Sequence, residues 1–425
     1  MSKIHKLLRE STTTNSNSQA RPNLVALTRA TTKLIYTDIV AMQRTNQPLA
    51  ALYGVKYLTP DNEMTFATAA TYGGAIGVKE RSAMPEYEAS MKAGLVKGDM
   101  FKYQHVVYKV LVDAPFGSIT ETDLDLSLQE ALITLTVRLV PEAASTARYE
   151  TGDEANEAKF QINKWNAEVK SRKLKSSLTI ELAQDLEANG FDAPNFVEDL
   201  LATEMADEIN KDILQSLITV STRYKVDTVC ANGIVDLTYD RAPEAARKLY
   251  ELMCEMVSHI QRTTTYTATY VVASTRVAAV LAGSGWLKHK PEDDNYLSEN
   301  AYGFLANGLP LYCDTTSPLD YVTVGVKEDL GGKEIVGSLF YAPYTEGMDL
   351  EDEEHVGTFK VVVDPDSLQP TVGLLVRYAL CASPYTVAKD DQEARIIDAT
   401  NMDEMAGQSD LSVMLGVKLP KILAE

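Results

Sequence analysis

Apolar residues recur every four positions in one stretch of the chain: Val197, Leu201, Met205, Ile209, Ile213 and Leu217 make one stripe, with Phe196, Leu200 and Leu214 on the adjacent one. This spacing predicts a single amphipathic helix from about Asn195 to Ser221, spanning about 40 Å at ~1.5 Å per residue. Asp192 and Pro194 supply a start signal, and Glu198, Asp199 and Glu204 put negative charge in the N-terminal half, where the helix dipole favours it. Between residues 99 and 170 the period differs. Leu124, Leu126 and Leu128 alternate with Asp125 and Ser127, and Ile133, Leu135, Val137 and Leu139 alternate with Thr134, Thr136 and Arg138. Together with Val106, Val107, Val110 and Val112, these runs predict long β ribbons, which are marginal alone and need a partner surface, such as another subunit.

The next section alternates element types. A helix from Pro243 to Gln261 capped by Asp240, a strand at Tyr266 to Ala273 and a helix from Thr275 to near Gly283 precede strands at Leu309 to Cys313, Tyr321 to Val326 and Ser338 to Tyr341. Lys360 to Val363 and Gly373 to Ala382 predict later strands. Before all of these, Leu24 to Tyr57 mixes Leu27, Leu34, Ile35, Ile39, Val40 and Met42 with Pro48 and Gly54, a pattern of short helices and strand starts. The run STTTNSNSQ, Ser11 to Gln19, contains no apolar residue and predicts a flexible arm. There is no internal repeat.

Composition narrows the class. Of 425 residues, 45% are apolar and 24% charged, enough for a sizeable buried core in one large fold or two domains. The chain has no run approaching the roughly 20 apolar residues of a membrane helix, and Met1 to Glu10 lacks an apolar signal core, so the protein is expected to stay where it is made, with no membrane partner. Cys230, Cys254, Cys313 and Cys381 stand far apart and read as reduced thiols, neither a zinc site nor a disulfide framework. A formal charge of −20 and a pI near 4.8 argue against a nucleic-acid-binding surface and leave only weak, nonspecific contact with DNA. Like charge also opposes nonspecific aggregation at high local concentration.

Candidate chemistry is sparse. Gly73 to Gly77, Gly283 to Gly285 and Gly331 to Lys333 lack the full spacing of a phosphate-binding loop and read as turns. His5, His105, His259, His289 and His355 show no i, i+4 pair that would share a metal. The carboxylates Asp349, Glu351, Asp352, Glu353 and Glu354 are hard oxygen ligands in type, but the run lacks the alternation and turn glycine of a calcium loop and reads as a solvated loop. The basic run Lys170, Arg172, Lys173 and Lys175 suits phosphate or the acidic faces of neighbouring subunits, and the overall acidity favours intersubunit pairing or solvation. Sequence spacing assembles no catalytic triad, so no catalytic, cofactor-binding or metal residue is expected.

Asn166 to Leu214, NAEVKSRKLKSSLTIELAQDLEANGFDAPNFVEDLLATEMADEINKDIL, closely resembles the T-even-type myophage major capsid family, in which a VxAKSRxLKxxxxxELAQDL segment leads into a long helix with an EIN-like pattern. Val169, Lys170, Ser171, Arg172, Leu174, Lys175, Glu181, Leu182, Ala183, Gln184, Asp185 and Leu186 match the first part, and Glu208, Ile209 and Asn210 the second. Tyr270 to Gly285, Ser338 to Leu350, Gly373 to Tyr385 with its Arg-Tyr pair, and Tyr36 to Gln43 resemble further family segments in the same order. After Gln43 the chain departs from the family's Pro-Met and Gly-Pro-Thr-Gly turn, with Arg44, Thr45 and Asn46-Gln47-Pro48-Leu49. The interval from Gly74 to Asn166 matches weakly.

The resemblance implies an α+β, HK97-like capsid fold: a peripheral domain around a long spine helix, an axial domain near the capsomer centre, and an extended loop. The corresponding partition is a flexible arm over 1–23, the start of the peripheral domain and loop over 24–98, and the extended β loop over 99–165, with or without a small insertion. The spine helix and peripheral domain follow over 166–224, the axial domain over 225–372, and a late strand returning to the peripheral domain over 373–425. The implied function is a non-catalytic major capsid protein whose hexamers form an icosahedral head around double-stranded DNA, assembled in the host cytoplasm. Its implied partners are copies of itself, in hexamers or pentamers, and scaffold, portal, vertex or decoration proteins. A related pentameric vertex protein fits the same motifs. A storage compartment of the same fold and an α/β enzyme using Arg172, Lys173 and the 349–354 carboxylates are more remote readings. Precursors in the family are trimmed after Leu/Ile-x-Glu, and Leu8-Arg9-Glu10 followed by Ser11 matches that signal, as do Leu249-Tyr250-Glu251 and Leu297-Ser298-Glu299 inside segments expected to fold.

Overall fold

A computed structural model describes residues 34–58, 71–150, 157–181, 193–288, 300–329, 335–344, 358–363, 370–383 and 400–421, apart from 120–122 and a few single positions within those spans. After helix α1 (Tyr36–Ile39) and strand β1 (Ala41–Met42), the chain runs out along β2 (Leu49–Leu58). It then builds a small unit from α2 (Val78–Ala83), β3 (Met100–Tyr103), β4 (Val106–Val110), α3 (Leu124–Ile133), β5 (Val137–Leu139) and α4 (Thr146–Glu150). The return runs along β6 (Lys159–Glu168) into β7 (Lys170–Ser177) and the long helix α5 (Ala193–Val220). There follow β8 (Ser221–Arg223), β9 (Ile234–Asp236), α6 (Ala242–Thr264), β10 (Tyr270–Ser274), α7 (Thr275–Gly283), β11 (Leu287–Lys288), β12 (Gly303–Leu305), β13 (Pro310–Asp314) and β14 (Tyr321–Gly325). The last strands are β15 (Lys327–Asp329), β16 (Ile335–Gly337), β17 (Leu339–Pro343), β18 (Thr358–Val363), β19 (Pro370–Ala382) and β20 (Ser409–Lys418).

The four-residue stripe does form one helix, and its partner is β19. Leu201, Met205, Ile209, Ile213 and Leu217 share a buried cluster with Val372, Leu374, Val376 and Tyr378, the alternate residues of that strand. Burying each such side chain contributes about 1.5–3 kcal/mol, so this seam is a main source of stability for the core it closes. β19 pairs with β7 along one edge, from Thr371 to Tyr378, and with β18 and then β17 along the other. The first folded segment closes the same core: Ile35, Tyr36, Ile39 and Val40 are buried, and β1 pairs in parallel with β17. Asn300 Nδ2 donates to the Leu34 carbonyl at 3.0 Å and Lys327 Nζ donates to the Thr37 carbonyl, while burial pushes the Lys327 ammonium pKa down.

The second core belongs to an eight-stranded sheet ordered β11-β12-β13-β10-β14-β20-β8, with β9 also on β20 and with α6 and α7 packed against it. The expected helices and strands between residues 243 and 341 all occur, with ends moved by a few residues. A strand absent from the sequence reading, β20, lies inside this sheet, antiparallel to β14 and parallel to β8 and β9. Gly325 of β14 faces the ring of Tyr270 so closely that a Cβ would lie 2.3 Å from it, which only glycine permits. Burial raises the Tyr270 hydroxyl to about 12.

Two expectations are corrected. Leu124 to Ile133 is the helix α3, not a strand, because the Asp123 side chain accepts the Asp125 N–H at 2.9 Å as an N-cap and Leu128 and Ala131 are buried. Only Val137 to Leu139 of the following run is extended, after a turn in which Leu135 has φ 57°. α3 packs on β3–β4–β5 around the stacked rings of Tyr87, Phe101, Tyr108 and Phe116, whose neighbouring centroids stand 5.1 to 5.5 Å apart. The long ribbon is therefore not built from residues 99–139. Its strands are β2 and β6, paired antiparallel over ten residues from Leu49↔Glu168 to Leu58↔Lys159, with the small unit inserted between them in sequence.

Truncating Ile213 to alanine should lower unfolding stability by about 2–5 kcal/mol in denaturant titration, as cavity-forming substitutions at buried seams do. Gly325→Ala should destabilise as well, although it adds only a methyl group, and adding Tyr270→Ala should recover part of that loss.

Candidate assembly surfaces

The family-like motif around β7 has one task that geometry makes plain. Arg172 of β7 points at α5, where Nε donates to the Tyr378 hydroxyl at 2.6 Å, Nη1 donates to Glu208 at 3.3 Å, and Nη2 pairs with Asp212 at 3.0 Å. The Tyr378 hydroxyl in turn donates to Asp212. Burial works against the guanidinium charge, but the bonds to Tyr378 and Asp212 outweigh it and hold the pKa above its ordinary value. Burial first, and then the Asp212 carboxylate, push the Tyr378 hydroxyl up. This half-buried network ties helix to sheet, so its role is positioning. Leu174, on the same face, packs on the helix-side core, while Lys170, Ser171 and Glu181 are exposed. Asn210 is buried in α5, and its Oδ1 has no hydrogen-bond partner among the described residues. Leu8, Glu10, Ser11, Gln184, Asp185 and the 349–354 carboxylates lie outside the described residues.

No reaction centre emerges among the described residues. Arg172 and Lys173 point to opposite faces of β7, as neighbours on a strand must, so they do not converge as the enzyme reading required. Among the described residues no group of His, Cys, Asp or Glu could hold a metal ion. A cleft of about 50 Å³ at the ribbon's root, lined by Arg44, Thr45, Ala51, Phe340 and Cys381, is far below the roughly 300–1,000 Å³ of ligand pockets. The Cys381 thiol there is pushed up to about 12 by burial, so it is a poor nucleophile.

Exposed apolar surface is where the chain is unusual. On one face of the β2–β6 ribbon, Leu49, Tyr53, Phe160 and Ile162 are all exposed, Phe160 by 69% and Tyr53 by 61%. The opposite face at the root is buried, since Ala50 and Ala167 pack with Phe340, Ala342, Ala379 and Cys381 of β17 and β19. The ribbon is thus anchored at its base and carries an uncovered apolar stripe. The edge strand β18 adds Phe359, Val361 and Val363 on its helix-side face, and the small unit adds Val112, Ile133 and Leu135, the second exposed by 82%. Rows of this kind mark surfaces that another chain covers. This stripe lies at residues other than the 106–139 runs from which the sequence predicts ribbons; Phe160 and Ile162, alternating with Gln161 and Asn163, carry the local signal for its second strand.

A long helix packed on a sheet, a paired ribbon and a second α/β unit, with apolar strands left uncovered, make up an α+β fold of the HK97-like phage capsid type. Residues 17–417 match the family model described as "Major capsid protein Gp23", and the chain belongs to that family. It is a capsid protein of a T4-like phage head. The capsid vertex protein of Enterobacteria phage T4 is 71% identical over 426 residues, covering 100% of both chains. The capsid vertex protein of Vibrio phage KVP40 is 32% identical over 259 residues, 61% of this chain and 80% of that protein. The major capsid protein of Enterobacteria phage T4 is 26% identical over 418 residues, 88% of this chain and 77% of that protein. Among solved structures, a chain from Mycobacterium phage Bobi aligns at 10% identity with a TM-score of 0.44, covering 97% of this chain and 99% of that one. That likeness is too slight to carry weight beside the sequence relatives.

Arg172→Ala leaves Asp212, Glu208 and the Tyr378 hydroxyl without their shared donor at the helix–sheet seam. The melting temperature should fall by several degrees, and Arg172→Lys should recover only part of it, since an ammonium cannot reproduce the planar fork. A melting curve unchanged in both variants would remove the network from the account.

Proposed function

We propose that this chain is the vertex component of the head, forming five-membered rings at the icosahedral vertices, and that its role is structural and not catalytic. The observation that carries the reading is identity along the full length: 71% to a capsid vertex protein, against 26% to the major capsid protein of the same phage. The hexamer-forming major capsid role expected from the sequence motifs gives way to this alternative. Pentamer and hexamer differ physically in one angle. Both are head-to-tail rings in which one patch of each subunit meets a different patch of the next, and the rotation between neighbours decides where the ring closes.

In this reading α5, β1, β7 and β17–β19 form the peripheral domain, the eight-stranded sheet with α6 and α7 forms the axial domain, and the β2–β6 ribbon is the extended loop. The ribbon's apolar stripe is covered by the neighbouring subunit. Further partners are major capsid subunits around the vertex and the scaffold, portal or decoration proteins of the head, with only weak nonspecific contact to packaged DNA. Assembly takes place in the host cytoplasm, and the arm is trimmed after Glu10, ahead of Ser11.

Labelling the chain in assembled heads tests the location: the label should appear at five-fold positions alone, and a label spread over the faces would restore the major capsid role. Replacing Tyr53 and Phe160 with aspartate should leave a folded subunit, because both side chains are exposed in the free chain, yet abolish ring formation in sedimentation. Rings of normal yield from that variant would exclude the ribbon stripe as an assembly contact.

A further inference from the structure

The strands β7, β18 and β19 carry Lys170, Arg172, Lys173, Lys175, Lys360 and Arg377 and not one carboxylate, in a chain with 60 acidic residues. Strand register sorts these cations. Residues directly opposite on paired strands share a face, and Val372, Leu374, Val376 and Tyr378 face α5. Lys173 stands opposite Leu375, Lys175 opposite Gly373, and Lys360 opposite Gly373 from the other side, so all three share the outer face with Arg377. Arg172, by contrast, is spent on the helix. The result is a face holding four cations, none of which makes an ion pair among the described residues; Arg377 only stacks over the Tyr344 ring, 4.3 Å from its centroid.

Gly373 sharpens the picture. It lies between Lys175 and Lys360, whose Cα atoms are about 10 Å apart across three strands. Neither packing nor backbone conformation demands glycine there, because a Cβ would meet its nearest atom at an ordinary 3.7 Å. A strand interior glycine without a local reason marks a place where something else approaches the sheet. The face also continues from the ribbon's root, which occupies the other half of the same side of β19.

We propose that this face is a docking surface for the acidic segment Asp349–Glu354 of a neighbouring copy. The segment holds five carboxylates in six residues, and the rest of the chain is strongly acidic, which opposes a polyanion as large as DNA. A basic face and an acidic run on one chain form the complementary halves of a head-to-tail contact, the type a closed ring requires. The inference rests on the subunit assembling with copies of itself and is indifferent to ring size.

Full-length protein mixed from isotopically light and heavy preparations, treated with a carbodiimide that joins carboxylates to lysine amines, tests the contact. Mixed-isotope cross-links between residues 349–354 and Lys173, Lys175 or Lys360 are expected. The variant K173E/K175E/K360E should lose them and associate at least tenfold more weakly at low salt. Pairing it with D349K/E351K/E353K should restore association. All three lysines are exposed, and an unchanged melting curve serves as the folding control. Cross-links confined to single chains, or intersubunit cross-links that bypass this face, would overturn the proposal. So would the absence of any intersubunit cross-link, or a triple variant that assembles normally but loses retention of duplex DNA. Ring size, read in the same preparation, judges the vertex assignment separately.

Discussion

The seam between α5 and β19 is the constraint on which the rest of the structure depends. A helix of 28 residues offers one continuous apolar stripe, and only an equally long, one-sided strand can cover it; β19, with 13 residues, does so. Once that pairing is made, β19 has two free edges, and the strands that fill them fix the positions of the functional parts. β7 brings in the root of the ribbon, β17 brings in the N-terminal segment through β1, and β18 is left as an edge. Arg172 then locks helix to sheet from one point through Glu208, Asp212 and Tyr378.

A subunit organised this way is rigid where it must hold shape and incomplete where it must meet others. One face of β19 is covered by α5, whereas the ribbon stripe, the edge of β18 and the end of the small unit keep apolar side chains in water. Uncovered strands are an aggregation hazard in a monomer. The net charge of −20 counters that hazard by mutual repulsion, and it leaves specific contacts, apolar or charge-matched, to select the correct neighbour.

How much of this was legible in the chain depends on how local the signal was. The spine helix was readable because its period repeats over six turns, and the strands at 270–274, 310–314, 321–325 and 370–382 because short apolar runs end at turn residues. β20 escaped because it is buried on both faces and so shows no alternation. The Leu124–Leu128 alternation misled because Leu124 and Leu128, four apart, also share one face of a helix, with Leu126 turned outward; the Asp123 cap, rather than the period, separates the two cases. The pairing of residues 49–58 with 159–168 joins segments about a hundred positions apart, beyond any local pattern. The basic run marks Arg172 and Lys173 alike, but only strand geometry reveals that one serves the core and the other faces outward.

Single-particle electron microscopy of the rings formed by the purified chain measures the central claim most directly, because ring order is the physical difference between the two capsid roles. Five-fold rings, with the ribbon of each subunit lying over its neighbour, are the predicted result. Six-fold rings or flat hexagonal sheets would contradict the vertex assignment.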